Sequence, residues 1–206
     1  MDYRDSQREL QERHDTRRLA DRLAETAGDV VTPFRDFIER QDMFVLATAD
    51  ATGQPQCSYK GGDPGFVRVI DDSTIAFPLY DGNGMFLSAG NVLENPGVAL
   101  LFIDFAGGGS RLRLNGDAST DPDDPLIETF PGALLVVRVR ARAVFPNCRR
   151  YVHTHDRPQR SVFVPDGVTP PPVPDWKRDE WFAGMLPDGD PALDPEHPAA
   201  PSIPQF

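Results

Sequence analysis

Three stretches of the 206-residue chain carry groups able to hold an anion. The first is Tyr80-Asp81-Gly82-Asn83-Gly84-Met85-Phe86-Leu87-Ser88-Ala89-Gly90-Asn91. It follows a strand-like run and opens a helical one, so backbone N–H groups point outward from a Gly-rich turn and favour an anion, a phosphate most of all. An ordinary turn closed by glycines reads equally well. Leu87 stands where a dinucleotide fingerprint needs its third Gly, the repeated βαβ context is absent, and the chain has no Gly-Lys-Ser/Thr phosphate loop.

The second stretch is Cys57-Ser58-Tyr59-Lys60-Gly61-Gly62, and Lys60 is one of only 2 lysines among 21 basic residues. On a strand, Ser58 and Lys60 face one way while Cys57 and Tyr59 face the other. A flexible ammonium beside a hydroxyl suits a phosphate or an electron-rich ring edge. A surface lysine at a strand end is the equal alternative, and Cys57 reads as a small buried apolar side chain. The third is the arginine set: Arg111 and Arg113 on one strand, Arg138, Arg140 and Arg142 on another. In an acidic chain such rows form a solvated face paired with local Asp and Glu. Arg111 stands apart, because it opens its strand after the flexible Ala106-Gly107-Gly108-Gly109.

Other chemistries find less support. Cys148, His153, His155 and Asp156 cluster in sequence, but Cys-x4-His-x-His matches no common zinc spacing, so no metal is expected. There is no Gly-x-Ser-x-Gly elbow, and neither cysteine sits in a thiolate-forming pattern. Asp71-Asp72 and Asp121–Asp124 read as turn caps. No catalytic residue can be named.

The elements that must position these residues fall into three blocks. Residues 1–31 form a charged, Pro-free helical extension with Leu10, Leu19, Leu23 and Val30 as a thin apolar stripe. Residues 32–156 begin with a helix: Thr32 as N-cap, Pro33 at the first helical position, and Phe34, Phe37 and Ile38 on one face. Strands follow at 43–49, 55–60, 66–70, 74–79, 98–105, 111–118 and 133–144, with one short helix over 85–94. The run 98–105 is apolar enough to be buried on both faces. Short turns imply antiparallel pairing, closed as a barrel or sandwich. Residues 157–206 hold 12 of the 21 prolines and read as an extended arm anchored by Phe163, Trp176, Trp181, Phe182 and Met185.

Charge and composition exclude several functions. The formal charge of -11 argues against duplex DNA or RNA and against anionic lipid. Two cysteines make no disulfide framework, no apolar run approaches the ~20 residues that span a membrane, and MDYRDSQRELQER, lacking a hydrophobic h-region, is not expected to act as a signal peptide. A cytoplasmic globular protein is expected.

Taken together, Phe44–Ala49, Gly53-Gln54-Pro55, Ser58–Gly62, Phe77–Phe86 with Ser88, Asn95-Pro96, Leu100–Phe105 and Arg111–Gly116 resemble the pyridoxamine 5'-phosphate oxidase-like, FMN-binding split-barrel family. The likeness covers about residues 33–145. It implies a mainly β fold with flanking helices, a six-stranded antiparallel split barrel that binds FMN at a homodimer interface and acts on a small-molecule substrate as an oxidoreductase. By position, the lysine that ends the second strand in family members falls near Lys60, beside Ser58 and Tyr59. The strand edge along the flavin ring falls at Phe77, Pro78 and Leu79. The phosphate-binding turn and helix start fall at Asn83, Met85 and Ser88, with Asn91 a turn further. Ser88 stands where family members carry a basic residue; the Gly-Asn-Gly turn or Arg111 is the expected replacement. C-terminal residues of the neighbouring subunit close the site in family members, a role open here to Trp176 or Trp181. The substrate-binding Arg signature of true pyridoxamine phosphate oxidases is absent. An F420-dependent reductase on the same fold, or a flavin- or haem-binding module without turnover, remain alternatives.

Overall fold

The computed structural model describes residues 2–153 and 159–200. The chain divides into two compact units, the second beginning at Gln159. In the first, seven strands form one antiparallel sheet in the order β2-β1-β5-β6-β7-β4-β3. They are β1 Met43–Ala49, β2 Pro55–Gly61, β3 Arg68–Val69, β4 Thr74–Tyr80, β5 Gly97–Asp104, β6 Ser110–Asp121 and β7 Ala133–Asn147. This is the split-barrel architecture; its seven strands fall on the seven runs read from the sequence, one more than the six the resemblance implied.

The strands lie where alternation and turn chemistry demand. The Asp50 carboxylate accepts from the N–H groups of Thr52 at 2.9 Å and Gln54 at 3.0 Å, closing the β1–β2 hairpin. Its register pairs Phe44 with Lys60 and Leu46 with Ser58. The core is aromatic: Phe44 stacks on Phe66 at 5.8 Å and meets Phe77 edge-on at 4.9 Å. Each such ring, fully buried, contributes about 1.5–3 kcal/mol of transfer free energy.

Four expectations are corrected. The run over 98–105 is buried on one face only: Val98, Leu100 and Phe102 point inward, while Ala99, Leu101 and Ile103 are half-buried. An antiparallel sheet needs only one covered face. The stretch 66–70 pairs only through Arg68 and Val69, because Gly65 takes a left-handed turn and Phe66 enters the core. The helix expected after Thr32 is a 3-10 turn, Thr32–Phe34, followed by a short helix α3, Arg35–Glu39; Ile38 still buries, with Phe34 and Phe37 packed against the core. Cys57 is exposed rather than buried, since β2 edges the sheet and turns that side chain away from the core.

The N-terminal extension is a hairpin of two helices, α1 Asp5–Arg13 and α2 Arg17–Thr26, broken at Asp15 in the left-handed region. An Arg8–Asp21 ion pair at 2.5 Å and the Tyr3 hydroxyl donating to Ala20 O clamp it, while Leu10, Leu19 and Leu23 stay exposed. The row of arginines on β7 is largely paired, Arg138 with Asp124 at 2.5 Å and Arg142 with Asp117 at 3.4 Å. The Arg142–Asp117 pair is solvated as expected, whereas the Asp124 carboxylate under Arg138 is buried.

The second unit carries no strand among its described residues. Three 3-10 turns surround a Trp176–Phe182–Trp181 ring cluster and a buried Lys177–Asp190 ion pair at 2.8 Å.

Candidate functional site

Strand β2 and helix α4, Leu87–Glu94, bring a lysine ammonium and two serine hydroxyls together. Opposed residues of an antiparallel pair share a face, so Ser58 and Lys60 lie on the side of Leu46 and Phe44, the inner side. Helix α4 crosses that side, burying Ala89, Asn91 and Val92. Its first turn thereby meets the strand: Ser58 Oγ lies 3.1 Å from Ser88 Oγ, and Lys60 Nζ donates to Ser88 Oγ at 3.4 Å.

The electrostatics favour an added anion. Lys60 is only partly exposed, and burial lowers its pKa from the ordinary lysine value. Among the described residues no carboxylate lies within ion-pair distance of it. The N-terminus of α4 has neither a side-chain cap nor an acidic residue in its first turn. A partly desolvated ammonium and two hydroxyls thus meet in the first turn of a helix whose start is uncapped. These residues fit a phosphate.

A second feature lies on β4. Since β3 reaches only Ala76, the edge of Phe77, Pro78, Leu79 and Tyr80 away from β7 has no strand partner among the described residues. Phe77, Pro78 and Leu79 are buried, so the strand offers backbone rather than side chains there. Burial raises the Tyr80 phenol pKa, the charge of Asp63 adds to the effect, and Arg68 opposes it. Partial desolvation, reinforced by Asp42, also raises the phenol pKa of Tyr59, although most of that side chain is exposed. The Tyr59 ring lies across Gly61, where a Cβ would come within 2.7 Å of it.

The remaining expected site residues take other places. Asn91 is buried and donates to Thr48 Oγ1 at 2.9 Å, holding α4 to β1. Asn83 Oδ1 accepts from the Met85 N–H at 3.1 Å, fixing the glycine turn. Met85 is exposed, and neither it nor Phe86 belongs to the helix expected over 85–94. Arg111 is opposite Ile103, on the sheet face away from Lys60, and its guanidinium donates to Cys148 O. Its Nε is buried without a hydrogen-bond partner. Of the suggested metal set, His155 and Asp156 lie outside the described residues, and Cys148 and His153 are exposed. Sequence reasoning missed Phe86, which takes a left-handed φ of 48° immediately before α4. No local signal marks it, because a bulky residue rarely adopts that conformation.

An antiparallel split barrel with a hydroxyl- and ammonium-lined cleft at a helix start defines the class. Residues 32–165 match the family model described as pyridoxamine 5'-phosphate oxidase, and the chain belongs to that family. No match was found among curated proteins. Among solved structures, HupZ of Group A Streptococcus is similar at 19% identity over 60% of this chain and 97% of that one, with a TM-score of 0.45. A candidate pyridoxamine 5'-phosphate oxidase from Lactobacillus delbrueckii shares 27% identity over 57% and 94% of the two chains, TM-score 0.44. HutZ, the haem storage protein of Vibrio cholerae, shares 21% over 56% and 94%, TM-score 0.40. Among the described residues no helix is long and apolar enough to cross a membrane.

Proposed function

We propose that this chain is an FMN-dependent oxidoreductase acting on a small molecule as a homodimer. One observation carries the reading: the partly buried Lys60 ammonium, bonded to Ser88 and lacking a carboxylate partner among the described residues. Family membership supports a flavin as the anion's bearer. A buried charge without a counter-charge is unfavourable, and a ligand that brings one recovers that free energy.

In this reading Lys60, Ser58 and Ser88 bind the phosphate or the electron-rich ring edge of the flavin. The unpaired backbone edge of Phe77, Leu79 and Tyr80 aligns the ring system, and Tyr59 with the Asn83 turn borders the cleft. When bound, the isoalloxazine supplies hydride chemistry, and the protein positions it and tunes its electronics. Donors held rigidly near developing negative charge stabilise it without reorganising. Arg111 faces away from Lys60 within one chain, so any contact it makes to the cofactor belongs to a cleft completed by a second copy. That arrangement accords with a homodimer.

The test is the absorption spectrum of purified protein, followed by titration with FMN, with F420 and with haemin. A yellow protein, or a colourless one that takes up FMN stoichiometrically, supports the reading. Uptake of F420 alone, or a Soret band with no flavin uptake, would replace it by the corresponding alternative.

A further inference from the structure

We propose that Thr48 and Asn91 are positioning residues for the site at Lys60: they fix where helix α4 lies along the β1–β2 hairpin and so hold Ser88 against Ser58 and Lys60. The inference rests on the flavin reading for the identity of the ligand and adds to that site two residues that act through Ser88.

The side of α4 that meets the hairpin carries a polar stripe. Ser88, Asn91 and Asn95 follow one another at spacings of three and four, which places them one above another on a helix. Each reaches the hairpin. Ser88 Oγ lies 3.1 Å from Ser58 Oγ and accepts from Lys60 Nζ at 3.4 Å. Asn91 Nδ2 donates to Thr48 Oγ1 at 2.9 Å, and Asn95 Nδ2 donates to Asp50 O, in the hairpin turn, at 3.3 Å. Thr48 lies two residues beyond Leu46, the residue opposite Ser58, so it shares the inner face with Ser58 and Lys60. The helix is thus tied at its start, middle and end to the hairpin whose second strand carries the cation.

Apolar packing does not set that register. Ala89 and Val92 join the core, but their attraction is non-directional and follows the area removed from water. Hydrogen bonds are stricter: their lengths span about 0.5 Å, whereas a slide by one residue moves a helix ~1.5 Å. Asn91 and Thr48 are both buried, at 9% and 4% exposure. An apolar pair in their place would avoid the desolvation of an amide and a hydroxyl, so stability alone does not account for the polar choice. A buried polar side chain that must find its partner fixes register, as a buried Asn does between paired helices. What this register places is the Ser88 hydroxyl, three residues before Asn91, and a binding site needs its groups held to about 0.5 Å.

The test uses the full chain and three measurements: FMN affinity by fluorescence quenching, melting temperature, and the titration of Lys60. Thr48→Val/Asn91→Leu replaces both partners by apolar groups and orphans neither, so the melting temperature holds or rises. FMN affinity falls about tenfold, while Thr48→Ser, which keeps the hydroxyl, stays within about twofold of wild type. In apo protein methylated with isotope-labelled formaldehyde, Lys60 gives one of only 2 lysine signals in the NMR spectrum. Burial lowers its pKa in wild type, so its midpoint rises toward the ordinary lysine value in the double variant as α4 slips away. Should the double variant fail to fold, Thr48→Val alone shows the same fall in FMN affinity. Unchanged FMN affinity overturns the inference, and so does a parallel loss of affinity and melting temperature, the mark of a merely structural pair. Failure of wild type to take up FMN removes the flavin reading; the positioning role then stands or falls on the Lys60 midpoint in apo protein.

Discussion

Replacing Lys60 by Ala deletes the one ammonium that the structure brings to Ser88 and Ser58. A hydrogen bond to a charged group contributes about 1.5–3 kcal/mol, and an opposite charge at ~4 Å near a protein surface attracts by up to about 4 kcal/mol before desolvation is subtracted. A net loss of about 2 kcal/mol is expected, which weakens FMN about thirtyfold. Flavin fluorescence quenching at low and high salt measures it, and the variant should also show a shallower salt dependence. The apo protein should respond in the opposite direction. Burial lowers the Lys60 pKa, so the charged form is disfavoured by folding, and that destabilisation is present at neutral pH and relieved as pH rises through the folded-state pKa. Lys60→Met should therefore raise the melting temperature of apo protein while weakening FMN. A variant that binds FMN as tightly as wild type would refute the assignment. One that loses both stability and flavin would show that Lys60 supports the fold instead.

Three further outcomes follow from the packing. Thr48→Val strands the buried Asn91 amide that now donates to Thr48 Oγ1, and should lower stability by about 1–3 kcal/mol in urea unfolding. Gly116→Ala places a Cβ 2.3 Å from the Arg140 backbone oxygen at the β6–β7 irregularity, and should cost at least about 2 kcal/mol by the same assay. Arg138 hydrogen bonds, with help from the Leu126 N–H, hold the Asp124 pKa below the ordinary carboxylate value. The stabilisation is thus present above that ordinary value and lost as pH falls through the folded-state pKa, and Asp124→Asn should flatten the acid side of a melting-temperature profile.

The sequence by itself determined the antiparallel strands, the turns between them and the family. Alternation as in Arg111-Leu112-Arg113-Leu114 fixes which side of a strand is buried, and Asp50 with Gly53 fixes a hairpin, because both are local consequences of backbone geometry. The same parity placed Ser58 and Lys60 on one face. Tertiary structure decided what that face meets. Only the packing of α4 across β1 and β2 sets Ser88 beside Lys60 and spends Asn91 on Thr48, while the β5–β6 register puts Arg111 on the other side. The left-handed Phe86 and the shortened β3 have the same origin: local propensity opposes the first and favours a longer strand for the second, and burial of Ala89, Val92 and Phe66 overrides both. Strand parity is written residue by residue, whereas the meeting of two faces depends on contacts far apart in the chain, which no local pattern encodes.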